Sequence, residues 1–89
     1  MTPRVEGIRL RLQKYIDAER ASDYSEKSLA ELYDVAIELK KELSELPQSA
    51  KVPFALLNLL SNIDFGAIER KYRTWVLDDA ERAISDLTD

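Results

Sequence analysis

Leu29, Leu32, Ala36, Leu39, Leu43 and Leu46 recur at intervals of 3, 4, 3, 4 and 3 residues, which sets one apolar side chain per turn on a single side of a helix. Ser28 with Glu31, or Asp23 with Glu26, supplies a capping box ahead of this run, and Pro47 closes it. An amphipathic helix ending near Leu46 is predicted. Such a stripe is stable in water only when other helices cover it.

The same reading predicts three further helices. The first spans about residues 3–21, with Thr2 as N-cap, Pro3 at the first helical position and Glu6 near the positive end of the dipole. Val5, Ile8, Leu12, Tyr15 and Ile16 form its buried stripe, and Gly7 within it marks either a close helix approach or a tolerated weak point. Pro47 and Pro53 cannot both lie inside one regular helix, so residues 47–53 are expected to reverse the chain. Residues 54–63 are apolar nearly all round, with Leu56, Leu57, Leu59, Leu60 and Ile63, and are predicted to be the most buried helix.

Asp64 then caps a fourth helix running to about Leu87, with a stripe of Phe65, Ile68, Tyr72, Trp75, Val76, Ala80, Ala83 and Leu87. Asp79 falls within that apolar arc, where a carboxylate requires an arginine partner or solvent. The last two or three residues are expected to fray. The predicted fold class is all-α: a compact four-helix bundle, a single helical domain over residues 1–89, with a Pro-bounded linker between helices 2 and 3.

Composition narrows the chemistry. Two Gly and three Pro leave few turns, while zero Cys and zero His remove the usual ligands of zinc, haem and iron–sulfur clusters. No cofactor and no metal are expected, and any metal would be oxygen-bound. Eighty-nine residues support one modest core without a deep substrate cavity, which favours surface binding over enclosed catalysis. No run approaches the roughly 18 apolar residues that span a bilayer, and the opening residues lack the apolar centre of a signal peptide. A cytoplasmic location without membrane association is the expectation.

The net charge of -4 is uneven, with five bases against three acids over residues 1–21 and three against seven over residues 22–47. Arg4 and Arg11 align on the first helix, Arg9 and Arg20 align elsewhere, and both pairs flank the buried stripe. No coherent basic face results. Arg70, Lys71 and Arg73 form the densest basic run and are the candidate nucleic-acid contacts, but Asp78, Asp79 and Glu81 follow within two turns, so nucleic acid is not the expected partner.

Glu42-Leu43-Ser44-Glu45 is similar to the first half of the ExxE plus ExxD arrangement of the small all-α nucleotide pyrophosphohydrolases, which implies magnesium-dependent hydrolysis as an alternative function. The second half is missing, because Ile84 lies three residues after Glu81. Residues 28–63, with Lys40-Lys41-Glu42-Leu43 and Phe54-Ala55-Leu56-Leu57-Asn58-Leu59-Leu60-Ser61, resemble the second and third helices of the small four-helix bacteriocin immunity proteins. That resemblance implies a protein-binding bundle, although the acidic charge departs from the basic character of that group.

Residues outside the stripes supply candidate contact surfaces. Leu10, Tyr33, Ile37 and Leu77 point away from the core arcs of their helices. Phe54, Asn58, Ser61 and Phe65 follow i, i+4, i+7, i+11 spacing and set two aromatics around a small polar strip, a pattern suited to anchoring a partner. The expected function is therefore a small noncatalytic protein–protein interaction module acting as regulator, inhibitor or adaptor. A symmetric homodimer through Leu10, Tyr33, Ile37 and Leu77 is also expected.

Overall fold

Thr2 and Pro3 open the first helix as their side chains dictate. The Thr2 hydroxyl accepts from the Val5 amide at 3.4 Å and Pro3 fills the first turn of α1, Pro3–Ala21. The computed structural model describes residues 2–89, apart from the side chain of Phe65. Helix α2, Glu26–Ser44, is capped by Ser25, whose hydroxyl accepts from the Ser28 amide at 3.3 Å. Neither predicted cap serves: Asp23 lies two residues before the cap, where its carboxylate accepts from the Ser25 amide at 3.0 Å and the Ser28 hydroxyl at 3.1 Å. Helices α3 (Phe54–Leu59), α4 (Phe65–Ile68) and α5 (Arg70–Ala83) follow, and a 3-10 turn covers Ile84–Asp86.

The all-α expectation holds, and the four predicted helices become five. Among the described residues the extended structure is a single antiparallel bridge between Lys51 and Thr88. The third helix stops at Leu59, short of the predicted Ile63, and Asn62 turns the chain at φ 54°. The predicted fourth helix opens at Glu69, where φ -133° and ψ 81° lie outside the helical region. Beside that opening the Tyr24 ring lies against Gly66, and the Arg70 guanidinium stands 5.2 Å from its centroid.

Helix α1 joins the two sides of the fold. It contacts both α2 and α5, while α3 and α4 pack on α5. Its stripe of Val5, Ile8, Leu12, Tyr15 and Ile16 is buried as predicted, against Leu32, Ala36, Leu39 and Leu43 of α2 and against Leu56, Leu59, Leu60 and Ile63. The segment 54–63 has the largest share of buried residues, although it is not apolar all round in its packing: Phe54 is 77% and Leu57 40% exposed. Helix α5 is turned about its axis relative to the predicted stripe. Arg73, Val76, Leu77 and Ala80 face inward, and Ile68, Tyr72 and Trp75 face outward.

Arginines along both flanks of α1 hold its neighbours. Arg4 and Arg11 pair with Glu45 and Glu42 of α2, while Arg20 reaches Asp78 at 2.7 Å and Glu81 at 2.8 Å on α5. The uneven charge along the sequence thus sets the basic α1 against the acidic α2 on one side and against Asp78 and Glu81 of α5 on the other. Arg9 donates to the carbonyls of Ser85 and Leu87 at 2.7 Å each, and the Thr2 amide donates to Asp89 at 3.2 Å. These bonds tie down the last residues, which do not fray as expected: Leu87 is fully buried. The radius of gyration, 12.6 Å, is close to the roughly 12 Å of a compact chain of this length. Among the described residues no helix is long and apolar enough to cross a membrane.

The two glycines make opposite demands. A methyl group at Gly7 meets nothing within 4 Å, so Gly7 is a weak point in the helix rather than a close approach. Gly7→Ala should stabilise the protein by about 0.5–1 kcal/mol, through helix propensity alone. A methyl group at Gly66 would overlap the Tyr24 ring, so Gly66→Ala should displace the ring and cost about 1–3 kcal/mol. Thermal melts showing shifts of the same sign at both positions would refute this assignment.

Candidate interaction surfaces

A buried charge pair lies where α1, α3 and α5 meet. The Glu19 carboxylate is 0% exposed and Arg73 2%. Arg73 Nε and Nη2 donate to the two Glu19 oxygens at 2.5 and 2.8 Å, while the hydroxyls of Tyr15 and Tyr24 donate to the same oxygens at 2.8 Å each. The remaining guanidinium donors reach the carbonyls of Leu59 and Ser61, which have no helical partner where α3 ends. Every group in the cluster is thereby satisfied within the fold. Burial pushes both tyrosine hydroxyls above their ordinary range, and the adjacent Glu19 carboxylate acts in the same direction. Burial also works against the Arg73 charge, but the bonds to Glu19 outweigh it and leave the guanidinium raised.

This geometry corrects one of the candidate contacts. Arg73 points into the core, so the run Arg70, Lys71, Arg73 offers two exposed cations instead of three. Arg70 is further engaged with the Tyr24 ring and the Asp23 carbonyl. The Glu42-to-Glu45 carboxylates face Arg11 and Arg4, and among the described residues no group of three or more acidic side chains is placed to hold a metal ion.

The predicted partner residues separate into different regions. Leu77 is buried at 3% exposure and belongs to the core, because the turn of α5 carries it toward α1. Leu10 and Ile37 are 68% and 64% exposed, and Tyr33 is at the edge of exposure. Tyr33 and Ile37 share one side of α2, opposite the side on which Val35 lies. The four residues therefore do not form one patch. On α3, Phe54 is exposed, Asn58 and Ser61 are half-buried, and the Ser61 hydroxyl donates to the Leu57 carbonyl at 2.9 Å. The Phe65 side chain lies outside the described residues.

Two surfaces went unrecognised in the sequence. One is an aromatic ledge formed by Tyr72 and Trp75 of α5, 47% and 55% exposed, with Ile68 at the end of the preceding α4 79% exposed. The Tyr72 and Trp75 rings stack with centroids 6.1 Å apart, which stiffens the ledge. Asp79 lies on the same arc, half-buried and 3.7 Å from Arg82, and its carboxylate was the available signal that this arc faces water. The other is a groove of about 590 Å³ between α1 and α2. Its floor is Tyr15, Leu32 and Leu39, with Arg11, Lys14 and Ala18 on the α1 wall and Glu31, Val35 and Glu38 on the α2 wall.

No family model matches the chain, and neither curated proteins nor solved structures match it.

Proposed function

We propose that this chain is a noncatalytic protein-binding module that docks through the aromatic ledge on α4 and α5. The observation that carries the reading is the exposure of the stacked Tyr72 and Trp75 on α5, next in the chain to the exposed Ile68 of α4. Large aromatics held rigid at a surface are the residues that dominate protein–protein binding energy. The exposed Lys71 and the Asp79 carboxylate border the ledge with opposite charges, so the partner presents an apolar groove with a mixed polar rim. The buried charge cluster serves this role by fixing α5, because all of its donors and acceptors are already occupied.

A photo-crosslinking side chain at position 72, introduced in the native host, tests the proposal. A discrete crosslinked protein should form and disappear on Trp75→Ala, which is expected to weaken binding about 30-fold, as loss of an aromatic anchor does. Magnesium-dependent turnover of nucleoside triphosphates that is abolished by Glu42→Gln would instead make the chain an enzyme. Salt-dependent retardation of nucleic acid that needs Arg70 and Lys71 would make it a nucleic-acid regulator.

A further inference from the structure

The groove between α1 and α2 has an ordering of charge that a single copy leaves unused. One wall carries Arg11 and Lys14, and the other carries Glu31 and Glu38. Lys14, Glu31 and Glu38 take part in none of the ion pairs among the described residues. Lys14 lies three residues after Arg11 and Glu38 four residues before Glu42. Because Arg11 and Glu42 pair across the antiparallel helices, Lys14 and Glu38 stand at one level, a turn farther along.

We propose that this face binds a second copy of the chain, with a two-fold axis running along the groove. Rotation about that axis sets α1 of one copy over α2 of the other and leaves the level along the helices unchanged. Each Lys14 then meets the partner's Glu38, twice over, as an isologous interface requires. An axis across the groove would set α1 on α1 and bring like charges together, so the charge pattern selects the first geometry. Exposed Leu10, one turn before Lys14 on the same arc, and Val35 on the opposite wall lie on either side of the charges, where the opposite helix of the partner covers them.

The area suffices. Two helices of 19 residues are each about 28 Å long, and side by side they present a face about 20 Å wide. Two such faces in contact bury about 1,100 Å², above the roughly 1,000 Å² expected of a specific interface. The surface lies on different elements from the aromatic ledge, so the proposal stands independently of the function assigned above.

Light scattering of the full chain, followed by mixing of charge variants, tests it. The wild-type protein should reach twice its 10.2 kDa mass as concentration rises into the high micromolar range. Lys14→Glu and Glu38→Lys, both at exposed positions, should each weaken the dimer at least tenfold with helix content unchanged by circular dichroism. An equimolar mixture of the two variants should dimerise again, because both cross-contacts then join opposite charges. A wild-type mass that stays at the monomer value, single variants that dimerise as the wild type does, or a mixture no better than its components would each overturn the proposal.

Discussion

Arg73→Met should destabilise the protein by about 3–5 kcal/mol, because it strands the Glu19 carboxylate in a site with no access to water. A chain of this length is expected to have a total stability of about 4–13 kcal/mol, so the variant should stand close to unfolding. The loss exceeds that of an ordinary ion pair because four other groups depend on the same two side chains. The Leu59 and Ser61 carbonyls lose their donors, and the hydroxyls of Tyr15 and Tyr24 are left on a carboxylate that must find a proton or water. Adding Glu19→Leu to Arg73→Met should recover part of the loss, since an apolar pair removes the isolated charge. Urea unfolding of the wild type, single and double variants measures both effects. A single-variant loss under about 1 kcal/mol would mean that the pair is solvated in solution.

The same cluster sets the alkaline limit. Tyr15 and Tyr24 hold their protons in the folded state above the ordinary value of 10.0, at which the unfolded chain releases them. Their contribution is fully present below that pH and is lost as pH rises above it. Urea midpoints that stay level between pH 8 and 11 would contradict the burial of these hydroxyls.

The sequence disclosed elements wherever local chemistry decides them. Thr2 with Pro3 fixes the start of α1, the leucine repeat fixes the inward face of α2, and Pro47 with Pro53 bounds the non-helical connection between α2 and α3. It did not disclose the Glu19–Arg73 pair, because nothing local marks two residues 54 positions apart as partners. That pair is also why α5 was misread. Tyr72 and Trp75 outweigh Arg73 in any count of apolar positions, so the predicted stripe is displaced by about 75° from the observed one. Once Arg73 is placed inward, Leu77 and Ala80 must follow it into the core and the two aromatics must leave. The contact surfaces were legible only in part, since exposure of Leu10 and Ile37 follows from one helix alone whereas the groove requires two.

Leu39→Ala and Leu57→Ala separate the two ways a leucine can sit in an apolar helix. Both occupy apolar stretches, and periodicity alone assigns both to the core. Leu39 is 1% exposed, on the face of α2 turned toward α1, while Leu57 is 40% exposed on the outer side of α3 beside Phe54. Truncating Leu39 removes buried methyl groups and leaves a cavity that tightly packed neighbours cannot fill, for an expected loss of about 2–5 kcal/mol. Truncating Leu57 removes surface already partly in water and creates no enclosed void, so about 1 kcal/mol or less is expected. Chemical denaturation of the two variants under identical conditions gives the comparison directly. Equal losses would show that α3 is rotated in solution so as to bury Leu57, which would also withdraw Phe54, three residues away on the same side, from the surface.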